Sequence, residues 1–253
     1  MLANSSNNKS RLHNTGIFVG LLLWVIAGFI VAYLLLGGGL WVLETAGVRL
    51  DSMNGVVLNT ILAAVVYVLS LAIVVGVPWL IKKRATTKED VGLTRLPSWM
   101  DILLAPAGFI VYFILSSVIV LGATRLIPGF NTDQTQTTGF EGINQQYEYI
   151  LAFVTLVVVA PVAEEILFRG YLYGKLKKHA PVWVAALGTS LLFGAIHGQW
   201  NVGVDVFALS LVLCSLREVT GNIWAGMLLH MLKNGVAFYF LFVNTALLDT
   251  IMK

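Results

Sequence analysis

Cysteine is nearly absent from this sequence, and charged residues are scarce. Cys214 is the only cysteine among 253 residues, so no disulfide can form within the chain and no cysteine cluster can hold a metal ion. Charged residues make up 11% of the chain, whereas soluble domains carry about 25%. The net charge is only +3, and membrane topology accounts for the basic residues. We therefore expect no nucleic-acid partner.

Apolar residues take the place of the missing charges. They form 58% of the chain, and the mean hydropathy is +0.84. Runs near 16–36, 56–81 and 102–121 approach or exceed the roughly 20 residues needed to cross a bilayer. In lipid, the backbone must satisfy its own hydrogen bonds, which favours helices. The sequence predicts an all-α fold, a polytopic transmembrane bundle of about seven or eight helices in the cell membrane.

Apolar runs and helix breakers together predict where these helices lie. We expect seven, near 16–37, 56–81, 100–123, 147–176, 181–198, 202–217 and 222–247. Glycine or proline occurs near many of the expected ends, at 37–39, 128–129, 181 and 220–221. The first apolar run is too long for a signal-peptide core and is expected to be a retained helix. We divide the chain into three N-terminal helices, residues 1–123, and a four-helix core, residues 147–247.

The distribution of lysine and arginine predicts the orientation. With a cytoplasmic N-terminus, the outer segments hold only Arg49, Arg125 and Lys253. The inner segments then hold Lys9, Arg11, Lys82, Lys83, Arg84, Lys88, Arg95, Lys175, Lys177, Lys178 and Arg217. Basic residues are enriched on the cytoplasmic side of membrane proteins. We therefore expect the N-terminus in the cytoplasm.

A few ionisable residues interrupt the apolar helices of the core, and such residues usually mark function. Glu164 lies about 15 residues before the cytoplasmic turn of the fourth and fifth helices, and His197 about 17 after it. At 1.5 Å per residue, both lie roughly 22–26 Å from that turn. His230 and Asn234 lie roughly 14–20 Å from the next cytoplasmic turn. We expect three helices to meet at one depth, reached more readily from the cytoplasm.

Two patterns of small residues indicate how these helices approach one another. Asn222, Gly226, His230 and Asn234 follow at four-residue intervals and should face the inside of the bundle. Gly194 and Gly198 bracket the histidine of FGAIHG, and small residues at this spacing allow close helix packing. Such packing would bring the imidazole of His197 within reach of a carboxylate.

These side chains suit hydrolysis of an amide or ester without a covalent intermediate. A shielded carboxylate beside a histidine can take a proton from an attacking water. A second histidine and an asparagine supply N–H donors for the oxyanion. Arg169 follows Glu165 by four residues and can pair with it, which leaves Glu164 as the free base. We expect this chemistry to need neither a metal nor another cofactor.

Three ordered motifs resemble the CAAX-processing and bacteriocin-processing (CPBP) family of intramembrane endopeptidases, which includes the type II CAAX prenyl endopeptidases. They are AEEILFRG at 163–170, FGAIHG at 193–198 and HMLKN at 230–234. The resemblance implies a glutamic endopeptidase in which Glu164 and His197 activate water, while His230 and Asn234 stabilise the oxyanion. It also implies that Glu165 and Arg169 support the site, and that a peptide or protein is the substrate.

Other functions are compatible with the same residues. The motif side chains could only clamp helices, and the protein could be a non-catalytic scaffold that regulates a partner. A role in self-immunity to a bacteriocin is a further alternative. A zinc protease is less favoured, because no His-Glu-x-x-His helix is present. Buried ionisable residues could also relay protons in a transporter.

Overall fold

A computed structural model describes residues 2–83, 86–132, 134 and 137–244, without the side chains of residues 2–11 and 82. These residues form an all-helical protein, as predicted. Its helices are α1 Leu2–Thr45, α2 Gly55–Ile81, α3 Lys88–Val91, α4 Trp99–Leu126, α5 Gln146–Leu176, α6 Val182–Ala195, α7 Trp200–Thr220 and α8 Trp224–Val243. The sequence predictions made for Arg84, for 245–247 and for Lys253 fall outside the described residues.

Five of the helices are long and apolar enough to cross a membrane. They are α2, α4, α5, α8 and the part of α1 from Leu12 onward. Helix α6 is apolar but has only 14 residues. Helix α7 carries Asp205, Arg217 and Glu218, and it is not among the five. The prediction of a multi-pass membrane protein is confirmed, while α3 was not predicted.

Several predicted helix ends were wrong. Helix α1 continues to Thr45 through the glycine triplet at 37–39, where we expected it to stop. Glycine costs a helix about 1 kcal/mol per residue in water. In lipid, however, breaking the backbone hydrogen bonds of the helix costs more than that. The helix predicted at 181–198, in contrast, is shorter than expected and ends at Ala195, because Gly198 adopts a left-handed φ of 70°.

Helix α5 lies at the centre of the bundle. Within the most apolar 18-residue segment of α5, 50% of the residues are buried inside the protein. The corresponding share in the other four spans is 17–28%. Its fully buried Leu167, Phe168 and Leu172 belong to the largest core cluster, which also includes Phe193 of α6 and Cys214 of α7. Residues 160–172 of this helix are therefore shielded on most sides. Glu165 and Arg169 in this stretch are withdrawn from lipid as well as from water.

Proline widens α5 just before the paired glutamates. Residues Val154–Val159 and Glu165–Leu172 are π-helical, and Pro161 lies between them. Proline has no N–H and its ring clashes with the preceding turn, which a wider turn relieves. A backbone carbonyl in the first π-helical stretch then lacks its helical donor, and the Nδ2 of Asn234 donates to Leu156 O at 2.9 Å. The distortion of α5 thus ties α8 to it.

Helices α2 and α5 are tied together where both begin. Asn54 caps α2 by accepting hydrogen bonds from the N–H groups of Val56 and Val57, at 2.9 and 3.2 Å. Its Nδ2 donates to Glu148 Oε1 at 2.6 Å. Glu148 in turn caps α5 through the N–H groups of residues 144 and 145. The starting points of the two helices are therefore fixed relative to each other.

The segment containing α3 packs against the other end of α5. A Cβ on Gly170 would lie 2.9 Å from Val91 Cβ, and one on Gly174 would lie 2.8 Å from Asp90 O. These glycines therefore allow the α3 backbone to touch α5. Lys178 Nζ donates to Asp90 Oδ1 at 2.9 Å, and this bond holds the pKa of Asp90 below its ordinary value.

Candidate active site

The π-helical stretch of α5 carries a fully buried ion pair. Arg169 Nη1 donates to Glu165 Oε1 at 2.8 Å, and both side chains are 0% exposed. This is the four-residue pairing that the sequence predicts. A buried carboxylate needs such a partner because its desolvation costs several kcal/mol. Glu165 Oε2 has no hydrogen-bond partner among the described residues, and Gly226 of α8 lies directly beside it.

His230 of α8 joins this pair to Glu164. Its Nδ1 lies 3.1 Å from Glu165 Oε1, and its Nε2 lies 3.7 Å from Glu164 Oε2. The imidazole is 3% exposed. Since Glu165 Oε1 already accepts from Arg169, we assign the hydrogen between Nδ1 and Oε1 to the histidine. The Glu165–Arg169 pair thereby orients the ring, with Nε2 toward Glu164.

Glu164 differs from its neighbour because no arginine side chain that the structure describes pairs with it, and because it reaches a cavity. Its side chain is 12% exposed. It lines a cavity of about 810 Å³, whose other walls come from α1, α2 and the turn after α6. The hydroxyl of Tyr67 on α2 donates to Glu164 Oε1 at 2.6 Å. Of the two adjacent glutamates, Glu164 is thus the one that a molecule in the cavity can reach.

His197 lines the same cavity, but it lies in the turn after α6 and not in a helix as predicted. Its Nδ1 is 2.7 Å from Phe193 O, a carbonyl that the end of α6 leaves without a helical donor. Because a carbonyl only accepts, Nδ1 must carry hydrogen. In the neutral ring, Nε2 is therefore an acceptor that can bind a water or take a proton.

Phe193 lies at the centre of the charged groups. Its ring centroid is 4.3 Å from the guanidinium carbon of Arg169, which is a cation–π contact. The imidazoles of His197 and His230 meet it edge-on, at 4.9 and 5.9 Å between centroids. One aromatic ring therefore packs against three polar side chains of the site. It excludes water from the ion pair and fixes the spacing of the two histidines.

Three members of the predicted polar stripe lie on α8 and face α5, as the four-residue spacing predicts. The fourth, Asn222, precedes α8 and accepts a hydrogen bond from the N–H of Trp224 at 2.9 Å. Gly226 lies beside Glu165, His230 lies near both glutamates, and Asn234 is bonded to Leu156. The prediction about Gly194 and Gly198 holds only in part, because a Cβ on Gly198 would meet nothing within 4 Å. A Cβ on Gly194 would lie 2.7 Å from Gly203 O, so Gly194 brings α6 close to α7 and not to the carboxylates.

The structure brings together most of the residues that the sequence singled out. Glu165 pairs with both Arg169 and His230, and His230 also lies near Glu164. His197 shares a cavity with Glu164, and Asn234 is one turn from His230. Tyr67 was missed, because a single tyrosine within the apolar run 56–81 does not reveal a partner on another helix. Phe193 belongs to the FGAIHG motif, but its role as a shared packing surface was not foreseen.

The arrangement offers a proton acceptor, oriented imidazoles and an apolar cavity. Among the residues that the structure describes, no three or more of histidine, cysteine, aspartate and glutamate lie together as a metal-ligand group. A carboxylate that shares a cavity with a histidine acceptor can take a proton from water bound there. A histidine and an asparagine one turn apart on α8 can donate to a developing negative charge.

Comparison with known proteins agrees with the motifs. Residues 146–236 match the family described as type II CAAX prenyl endopeptidase, Rce1-like. This stretch starts at the beginning of α5 and ends within α8, so it contains all six residues predicted for the site. The resemblance drawn from the three motifs is confirmed. Helices α1–α4, including the α1 and α2 walls of the cavity, lie outside the matched residues.

Individual relatives match parts of the chain. It is 34% identical over 89 residues to "Uncharacterized 24.3 kDa protein" of Escherichia coli, which is 33% of this chain and 41% of that one. It is 25% identical over 147 residues to "Putative membrane peptidase YdiL" of Bacillus subtilis (strain 168), which is 58% of this chain and 56% of that one. The matches thus span about half the length of these relatives or less. No solved structure matches the chain.

Proposed function

We propose that this protein is an intramembrane endopeptidase in which Glu164 activates a water molecule. One observation carries the proposal. A carboxylate that pairs with none of the described arginine side chains reaches an apolar cavity, and it lies within 3.7 Å of an imidazole that a buried ion pair orients. Buried ionisable groups are expensive and rarely kept for packing alone. The match of residues 146–236 to a family of prenyl endopeptidases supports a protease over other hydrolases.

In the first step, water binds between the carboxylate of Glu164 and Nε2 of His197. Glu164 takes one proton of this water as its oxygen attacks the carbonyl carbon of the substrate. The bond between water oxygen and carbon forms while the carbonyl becomes a tetrahedral oxyanion. A neutral His197 suits this role, since its Nδ1–H is committed to Phe193 O and its Nε2 accepts.

His230 and Asn234 stabilise the oxyanion. With Nδ1–H bonded to Glu165, His230 donates from Nε2 only as the imidazolium, whose positive charge suits an oxyanion. Asn234 uses one N–H of its amide on Leu156 O and retains the other. In the second step, the proton held by Glu164 passes to the leaving amine and the C–N bond breaks. No covalent intermediate forms.

Glu165 and Arg169 support the site without touching the substrate. Arg169 holds the carboxylate of Glu165 in place, and this carboxylate lies at Nδ1 of His230. The contact keeps the imidazole ring in one orientation. Arg169 also packs on Phe193, and Phe193 contacts both histidines. Misplacing a catalytic group by about 1 Å can cost roughly 100-fold in rate. This support therefore contributes to the rate even though it is remote from the reacting bond.

The substrate is a peptide or a membrane-proximal protein segment with apolar character. The cavity is lined mainly by aliphatic and aromatic side chains of α1 and α2, among them Ile26, Phe29, Ile30 and Leu62. Burial of apolar surface there stabilises a complex by about 25 cal/mol per Å². With the N-terminus in the cytoplasm, as the lysine and arginine distribution predicts, the membrane-embedded site is expected to act on segments that approach from the cytoplasmic side.

The test compares peptide termini in cells that carry wild-type protein or Glu164→Gln at equal membrane abundance. We expect a precursor to accumulate in the variant and its cleaved form to disappear. Glu44→Gln is the matched control, because Glu44 is an exposed glutamate near the end of α1. Identical termini in all three strains, with the biological activity retained, would instead support the non-catalytic scaffold or the self-immunity alternative.

A further inference from the structure

Tyr67 is the one polar side chain from outside the family-matched residues that contacts Glu164 in the part of the chain described here. Its hydroxyl donates to Glu164 Oε1 at 2.6 Å. We propose that Tyr67 is a positioning residue, which occupies one carboxylate oxygen and leaves Oε2 to take the proton of the attacking water. This inference rests on the proposed function and assigns that site a residue from α2.

The geometry gives the two oxygens of Glu164 different surroundings. Oε1 accepts from Tyr67 at 2.6 Å, while Oε2 lies 3.7 Å from His230 Nε2. A distance of 3.7 Å is longer than a hydrogen bond. Oε2 is therefore the oxygen that remains free to bind water. Toward a carboxylate, a tyrosine hydroxyl acts as a donor, so this contact fixes the rotation of the carboxylate group.

Hydrogen bonds hold α2, which carries Tyr67, against the start of α5. The linked caps Asn54 and Glu148 fix the starting points of α2 and α5. Tyr67 lies 13 residues after Asn54, and Glu164 lies 16 after Glu148, which gives roughly 20 and 24 Å along straight helices. The π-helical stretch Val154–Val159 shortens the path from Glu148 to Glu164, and this brings the side chains of Tyr67 and Glu164 to the same depth. Asn59 adds another tie between α2 and the loop before α5, through Gly139 O.

A merely structural reading of this contact makes a different prediction. If Tyr67 only satisfied a buried polar atom, its loss would change stability but not the chemistry of Glu164. Tyr33 supplies a matched control, because it lines the same cavity, is 61% exposed and makes no hydrogen bond to Glu164. Tyr67→Phe and Tyr33→Phe each remove one hydroxyl and keep the ring.

The first measurement is the infrared spectrum of the full-length protein in lipid, recorded as a difference between low and high pH. The carboxyl band that disappears in Glu164→Gln belongs to Glu164. Loss of a hydrogen-bond donor raises the frequency of a carboxyl stretch, so we expect this band to move up in Tyr67→Phe and to stay in place in Tyr33→Phe. An unmoved band in Tyr67→Phe overturns the proposal. If that variant does not fold, 3-fluorotyrosine at position 67 strengthens the donor, and the band should move down.

The second measurement uses the peptide whose termini depend on Glu164 in cells. We expect Tyr67→Phe to lower kcat about 10- to 100-fold with an unchanged KM, because a misplaced base slows the chemical step and not binding. Tyr149→Phe is the control for activity, because Tyr149 lies on α5 and is not among the residues that line the cavity, and it should leave kcat unchanged. Full activity of Tyr67→Phe, with Glu164→Gln inactive, overturns the role of Tyr67 alone. Activity retained in Glu164→Gln overturns the proposed function itself.

Discussion

Removal of Arg169 should be among the most damaging single changes to stability. The Glu165–Arg169 pair is fully buried, and its N–O distance is 2.8 Å. Arg169→Met keeps a side chain of similar length but removes the positive charge that pairs with Glu165. Among the described residues, His230 is then the remaining partner of the Glu165 carboxylate. Breaking a buried pair from one side costs about 3–5 kcal/mol, whereas a whole domain is stable by about 5–15 kcal/mol. For a chain of this size, the unfolding midpoint should fall by roughly 6–20 °C.

The assay is thermal unfolding of purified protein in lipid nanodiscs, together with a double variant. Glu165→Gln with Arg169→Met removes both charges, so much of the lost stability should return, while catalysis should not. Arg49→Met is the control, since Arg49 is 79% exposed and lies 3.9 Å from Asp51. Exposed pairs of this kind often contribute nothing measurable. A double variant no more stable than Arg169→Met alone would refute the reasoning about an uncompensated buried charge.

Two further predictions separate chemistry from packing. Asn234→Ala should lower kcat about 100- to 1000-fold through loss of an oxyanion donor. It should also cost about 1–3 kcal/mol of stability, because Leu156 O is left without a donor. Steady-state kinetics and unfolding midpoints measure the two effects, and an unchanged kcat would remove Asn234 from the mechanism. Gly194→Ala should destabilise the protein by about 1–3 kcal/mol, because the new Cβ would lie 2.7 Å from the backbone oxygen of Gly203. Gly20→Ala is the control, because a Cβ there would meet nothing within 4 Å, and it should have no such cost in the same unfolding assay.

Much of the site could be read from sequence because helical spacing determines which side chains share a face. The pairing of Glu165 with Arg169 follows from a four-residue interval, and the face of His230 follows from the stripe on α8. Estimated depth brought Glu164 and His230 to the same layer, and the two side chains lie 3.7 Å apart. Apolar run length predicted a multi-pass membrane protein but not the number of spans, since five of the described helices, and not seven, are long and apolar enough to cross a bilayer.

Other features could not be read from the chain alone. The contact of Tyr67 with Glu164 joins residues 97 positions apart, and it depends on how α2 is rotated about its axis. The π-helical stretches on either side of Pro161 change the direction in which the side chains of α5 point. Residue spacing does not reveal these stretches. His197 was placed in a helix because its surroundings are apolar, whereas the left-handed conformation of Gly198 ends α6 before it.

The central claim is that Glu164 removes a proton from the water that cleaves the substrate. Its most direct test is the rate at which purified, lipid-reconstituted protein hydrolyses the peptide identified in cells. A general base typically contributes 100- to 10,000-fold, so we expect Glu164→Gln to lower kcat by about that factor while Glu44→Gln cleaves at the wild-type rate. Cleavage by Glu164→Gln at the wild-type rate would contradict the account.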